Sequence, residues 1–143
     1  KQLLEAEGSV VQDRSVYEDA EIFARNLYLQ NLISPRDYGV YQDLYQILIS
    51  LLPPPNLVVY LRASVDTLLS RIASRGRGFE AGIPREYLVS LNALYEEWIN
   101  TFTQCPVLII PSDNLDLVAR EEHITQVVQL VQDRLMGKTE VTL

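Results

Sequence analysis

Two short, nearly uninterrupted apolar runs constrain this chain more than any other feature: Leu57-Val58-Val59-Tyr60-Leu61 and Pro106-Val107-Leu108-Ile109-Ile110. Runs without polar alternation read as strands buried on both faces, the pattern of a parallel sheet. Parallel neighbours cannot be joined by a tight turn and need a crossover, usually helical. The segment between the two runs has room for two helices. A third candidate strand lies earlier, in Ser9-Val10-Val11-Gln12, where small and β-branched residues precede a helix start. Strand and helix alternate along the chain, which predicts an α/β fold with a parallel sheet covered by helices on both faces.

The helices announce themselves by their starts and stops. Ser15 and Glu18 have capping-box spacing, and Ile22, Phe23, Leu27 and Tyr28 continue at helical spacing to about residue 32. Ser34-Pro35-Arg36-Asp37 opens a second helix, with serine as cap and proline at the first helical position. Its apolar face is predicted from Tyr38, Tyr41, Leu44, Tyr45, Leu48 and Leu52, and Pro53-Pro54-Pro55 ends it. Ser64 caps a helix that runs through Leu68, Leu69 and Ile72 to Arg75. A glycine-punctuated loop, residues 76–83, follows without periodicity. Pro84 begins another helix, with Leu88, Leu91, Leu94, Tyr95, Trp98 and Phe102 on one side. The last helix carries Ile124, Val127, Val128, Val131 and Leu135.

At 143 residues the chain fits one domain with a core of its own. A net charge of −7 argues against a nucleic-acid backbone or an anionic membrane surface as partner. The single cysteine, Cys105, cannot form an internal disulfide and suits a reducing compartment, so a cytoplasmic setting is expected. His123, at a polar helix start, is expected to be solvated. No apolar run reaches membrane-spanning length. Lys1-Gln2-Leu3-Leu4-Glu5 reads as the end of a helix already under way. With only three candidate strands, this leads to the expectation that amino-terminal strands are missing from the chain.

The chemistry-bearing residues fall into two groups. Asp13-Arg14 sits between the first candidate strand and its helix, where α/β proteins place ligand chemistry. Asp19 and Phe23, four apart, share a helix face beyond it. A local ion pair and a core aromatic would explain the same residues. The second group is Arg71, Arg75 and Arg77. Guanidinium groups match phosphate oxygens, and a glycine-bearing loop can close over a ligand. A helix carboxyl end explains the first two arginines but not a third flanked by glycines, so phosphate binding is favoured. Gly137-Lys138-Thr139 resembles the end of a P-loop. The earlier glycine falls instead on Gln132 with no strand before it, so a frayed tail is expected.

Taken together, Asp13-Arg14-Ser15, Asp19, Phe23, Arg71…Arg75-Gly76-Arg77, Glu80, Ile83-Pro84 and Tyr95-Glu96-Glu97-Trp98 resemble the deoxynucleoside kinase family (deoxycytidine, deoxyguanosine and deoxyadenosine kinases). The resemblance runs across nearly the whole chain. It implies a P-loop kinase-like, three-layer fold. Residues 1–143 would then be the carboxyl-terminal part of one kinase domain, with a lid at about 71–83. The implied activity is transfer of the ATP γ-phosphate to the 5′-hydroxyl of a deoxynucleoside, with Mg2+ and usually as a homodimer. A dimer is expected through the helices at 16–32 and 84–104.

Carried over by residue, the resemblance sets Arg14 beside the 5′-oxygen and the incoming phosphate. It sets Asp13, in place of the family's usual glutamate, near the magnesium shell. Asp19 would bond the base edge and Phe23 stack on the base. Arg71, Arg75 and Arg77 would hold nucleotide phosphates, Glu80 the sugar 3′-hydroxyl, and the loop around Asp113 would lie near the adenine of ATP. The glycine-rich P-loop and the family's general-base glutamate are expected before Lys1, so the fragment alone is expected to be inactive. Two alternatives stay open: a thymidylate kinase-like phosphotransferase, and a non-catalytic relative serving as an assembly subunit.

Overall fold

A computed structural model describes residues 8–80 and 82–135. They belong to two compact units, Lys1–Leu52 and Pro53–Leu143. The segments Lys1-Gln2-Leu3-Leu4-Glu5 and Gly137-Lys138-Thr139 lie outside the described residues.

The first unit is helical. Ser15, in extended conformation, precedes α1 (Val16–Glu18), and the capping box forms. The Glu18 carboxylate accepts the Ser15 backbone N–H at 2.8 Å and the Ser15 hydroxyl at 3.3 Å. The helix then widens into a π-helical stretch, Asp19–Ala24, and resumes as α2 (Arg25–Leu29). Ala20, Ile22 and Ala24 of the widened stretch are buried. Helix α3 (Pro35–Leu51) starts as predicted: Ser34 Oγ accepts the Asp37 N–H at 3.1 Å, and Pro35 takes the first position. Tyr28 of α2 stacks on Tyr38 of α3 with ring centroids 4.3 Å apart. Tyr45 is buried and hydrogen-bonded to Glu21, and burial pushes its phenol up, with the nearby carboxylate adding to the shift.

Two expectations fail in this unit. Residues 9–12 are not a strand, and Val11 is 98% exposed. β-branched residues favour a strand only where a ladder and a packed face are available, and no described strand pairs with this segment. On α3, only Tyr45 is buried, while Leu44, Leu48 and Leu52 are exposed. Within its unit α3 meets α2 and the π-helical stretch, and these cover the tyrosine side of the helix.

The second unit holds the sheet. β1 (Val58–Arg62) and β2 (Val107–Pro111) pair in parallel, from Val58 opposite Val107 to Arg62 opposite Pro111. The crossover between them is α4 (Val65–Arg75), a 3-10 turn at Gly78–Glu80, and α5 (Arg85–Thr101). Gly76 closes α4 in the left-handed conformation (φ 65°), which a residue without Cβ adopts at no steric cost, and its N–H bonds back to Ile72 and Ala73. Helix α5 packs beside α4, and α6 (Glu121–Leu135) lies against β2.

Leu88, Leu94, Trp98 and Ile99 of α5, with Leu108 and Ile110 of β2, are the main buried apolar residues here. A run of rings extends from β1 along α5. Tyr60 stacks on Tyr95 at 5.9 Å, Tyr95 meets Trp98 edge-on at 6.3 Å, and Trp98 meets Phe102 at 5.3 Å. Full burial of β1 on both faces does not hold. Tyr60 and Arg62 face α5, but Val59 (37%) and Leu61 (41%) point the other way and are exposed.

Leu94→Ala removes a side chain that is only 5% exposed. It should cost about 2–5 kcal/mol of unfolding free energy, the range for deleting a core leucine. Urea unfolding measures this. A loss well under about 1 kcal/mol would mean that Leu94 is not part of a packed core.

Candidate active site

In the first unit, Asp13 and Arg14 occupy the turn before α1. Arg14 has φ 63°, a left-handed conformation costing an L-residue roughly 1–2 kcal/mol. Its carbonyl accepts the Gln12 side-chain amide at 2.8 Å, and its guanidinium lies 4.3 Å from the centroid of the Phe23 ring, within cation–π range. Asp19, exposed, and Phe23, half-buried, both belong to the π-helical stretch. Such stretches are rare and frequent at functional sites. The unit therefore brings Arg14 onto Phe23, with Asp19 leading the same widened turn. Asp13 is exposed beside them.

In the second unit, the three arginines do not form one open cluster. Arg71 donates to the Ser112 carbonyl, to the Leu115 carbonyl at 2.8 Å and to Ser112 Oγ at 3.3 Å. Ser112 is almost fully buried, and its N–H and hydroxyl both reach the Arg62 carbonyl, at 2.7 and 2.9 Å. Arg75 and Arg77 turn instead to Glu80. Arg75 places Nε and Nη2 at 3.0 and 2.6 Å from Glu80 Oε2, and Arg77 Nη1 lies 3.7 Å from Oε1. The Glu80 side chain is 11% exposed, against 49% for Arg75 and 55% for Arg77. Each guanidinium carries five N–H donors, so these two arginines keep outward donors while sharing one carboxylate.

Asp113 sits in the loop after β2 and accepts the Ser64 backbone N–H at 2.8 Å. Hydrogen bonds from the Thr67 hydroxyl and the Ser64 N–H hold its carboxyl below the usual carboxylate range. His123 is not simply solvated: its Nδ1 accepts the Asp116 N–H at 2.8 Å, while the Asp116 carboxylate takes the Val118 and Ala119 N–H groups. Cys105 is half-buried, and desolvation pushes its thiol up, away from nucleophilic character.

One cluster escaped the reading of the sequence. Arg62, the last residue of β1, makes a two-point pair with Glu96 of α5: Nε to Oε1 at 2.9 Å and Nη2 to Oε2 at 2.8 Å. The Tyr60 hydroxyl donates to the same Oε1 at 3.1 Å, and burial together with that carboxylate pushes the phenol up to about 12. The available signal was Arg62 standing two residues after Tyr60, on one strand face. Among the described residues, no group of three or more His, Cys, Asp or Glu side chains could hold a metal ion, and no helix is long and apolar enough to cross a membrane.

Comparison with known proteins bears on the chain as a whole. The profile of the family described as "Deoxynucleoside kinase" matches residues 1–136. Deoxyadenosine/deoxycytidine kinase of Bacillus subtilis (strain 168) is 35% identical over 133 residues, covering 92% of this chain and 61% of the relative. Deoxyadenosine kinase of Lactobacillus acidophilus is 32% identical over 138 residues, covering 90% of this chain and 64% of the relative. The chain thus spans a little over six-tenths of the length of these relatives. The solved structure of M. mycoides deoxyadenosine kinase with bound dATP superposes with a TM-score of 0.73 at 32% identity, covering 92% of this chain and 67% of that one. The shared fold is that of the P-loop kinases, with this chain contributing a parallel pair of strands and their flanking helices. On the family profile, the relatives and the fold alike, this chain belongs to the deoxynucleoside kinase family.

Proposed function

We propose that the protein carrying this chain phosphorylates a deoxynucleoside at its 5′-hydroxyl, with ATP as donor, and prefers a purine deoxynucleoside or deoxycytidine to thymidine. The observation that carries this reading is Arg14, held in a left-handed conformation with its guanidinium over Phe23. Residues held in strained conformations cluster at active sites and ligand clamps, which supports reading Arg14 as a cation that faces a ligand. In this reading Arg14 meets the 5′-oxygen and the arriving phosphate, Phe23 stacks on the base and Asp19 bonds its edge. Arg75 and Arg77 take nucleotide phosphates, Glu80 takes the sugar 3′-hydroxyl, and the loop around Asp113 borders the donor base.

Asp13 fits the metal requirement as one exposed carboxylate, since Mg2+ is commonly held by one or two carboxylates together with substrate phosphates. The ion would offset the charge of the transferring phosphoryl group.

Base preference rests on Asp19. An ionised carboxylate only accepts hydrogen bonds, so it suits adenine, cytosine and guanine, whose exocyclic amines thymine lacks. Thymine presents a carbonyl on the corresponding edge and would leave the charge unpaired. Thymidine should be poorer in kcat/KM by about two decades or more, and Asp19→Ala should narrow that gap at a cost to the good substrate. Steady-state kinetics with all four deoxynucleosides decides this. A preference for thymidine in the unmodified enzyme would remove Asp19 from the base.

Glu80→Ala should lower deoxynucleoside affinity by about one to two decades, roughly 1.5–3 kcal/mol for a charged acceptor, with a smaller change for ATP. Isothermal titration with each ligand separates the two effects. Equal losses would mean that Glu80 acts on the phosphates through Arg75 and Arg77.

A two-fold dimer through residues 16–32 and 84–104 belongs to the same proposal. Exposed Leu27, Leu29 and Leu32 support the first segment. In the second, Val89 is the exposed large apolar residue among those described, while Leu88, Leu94, Trp98 and Ile99 are buried. Sedimentation of the full-length protein at micromolar concentration should give a dimer, and Leu29→Glu with Leu32→Glu should shift it toward monomer. A monomer throughout would rule the arrangement out.

A further inference from the structure

The arginines of α4 and the following loop separate into two kinds by what their guanidinium groups already hold. Arg75 and Arg77 share a carboxylate and retain outward donors. Arg71, one helical turn before Arg75, makes three hydrogen bonds instead, to the Ser112 carbonyl, Ser112 Oγ and the Leu115 carbonyl. The segment that it holds is closed by its own backbone as well. The Leu115 N–H returns to the Ser112 carbonyl at 3.1 Å, Asp116 gathers the Val118 and Ala119 N–H groups, and the Asp116 N–H ends on His123. At the other end of α4, Asp113 accepts the Ser64 N–H. The loop is therefore fastened to α4 at two points, its N-cap and the turn that carries Arg71.

We propose that Arg71 is a positioning residue, which pins the loop at residues 112–115 to α4 and so keeps the donor-base side of the site in register with Arg75 on the same helix. This rests on the kinase reading above for its donor-side role, but not for the pin itself. Because α4 is a single hydrogen-bonded rod, a loop fixed at Ser64 and Arg71 moves with the helix end that bears Arg75. Loss of Arg71 leaves the Ser112 and Leu115 carbonyls without their charged donor and frees the loop to drift from that end.

The test compares Arg71→Gln, Arg71→Lys and Arg75→Gln in the full-length protein by amide hydrogen exchange and steady-state kinetics. Arg71→Gln should speed exchange at residues 115–120 by about tenfold or more and raise the KM for ATP by a similar factor, the scale of one lost charge-assisted bond. The acceptor KM should stay in place, and kcat should fall less than the ATP KM rises. Arg71→Lys, which can still reach one carbonyl, should recover part of both effects. Arg75→Gln should leave exchange at 115–120 unchanged while lowering kcat. Unchanged exchange in Arg71→Gln would overturn the pin. Faster exchange with a collapse of kcat and an unmoved ATP KM would overturn the donor-side role and return Arg71 to the phosphates. If the unmodified protein phosphorylates no deoxynucleoside, the kinase reading and the donor-side role fall together, and the exchange measurement still decides the pin.

Discussion

The parallel pairing of β1 with β2 is the constraint on which the second unit depends. Parallel strands deliver their carboxyl ends to the same edge of the sheet, so Arg62 and Ser112 emerge side by side. That adjacency lets the Ser112 N–H and hydroxyl converge on one carbonyl, which in turn fixes where the following loop leaves the sheet. The same parallel pairing demands a long crossover. Its first helix, α4, starts at Ser64 directly after β1 and so begins beside the loop that follows β2. The Asp113 bond to Ser64 and the Arg71 bonds to the loop are consequences of this layout.

Charge is used in two ways across this unit. The Arg62–Glu96 pair is half-shielded, two-pointed and joined by the Tyr60 hydroxyl, and it ties the end of β1 to the middle of α5. The Arg75–Glu80–Arg77 group is one carboxylate between two more exposed guanidinium groups. Exposed ion pairs contribute little to stability, and one acid between two bases leaves a net positive charge. The first arrangement anchors a strand to a helix. The second holds two cations on one carboxylate without neutralising both.

Local signals carried much of the architecture. Continuous apolar runs marked β1 and β2, and Ser34, Ser64 and Gly76 marked helix ends through backbone requirements that each residue meets within a few positions. What depends on distant neighbours was not legible. Residues 9–12 have the composition of a strand, yet a strand exists only through pairing. The alternating burial of β1 depends on which of its faces α5 covers. Asp19 and Phe23 lie in one helical stretch, but its π-helical widening at Asp19–Ala24 gives no trace in apolar spacing. Arg62 and Glu96 are 34 positions apart, and no local pattern links them. The candidate residues could be named from the sequence by type and spacing. What each arginine holds became visible only when the loop after β2 was placed beside α4.

Trp98, the single tryptophan of the sequence, is buried in α5 with Tyr95 and Phe102 against its edges and Tyr60 one ring further on. Its indole is thus a built-in optical reporter of the place where strand and crossover helix meet. Its burial leads to the expectation of emission from a ring shielded from water, with the nearby Tyr95 and Tyr60 rings close enough for resonance transfer to it. A drift of that emission to longer wavelength signals separation of α5 from β1, without any label being attached to the protein.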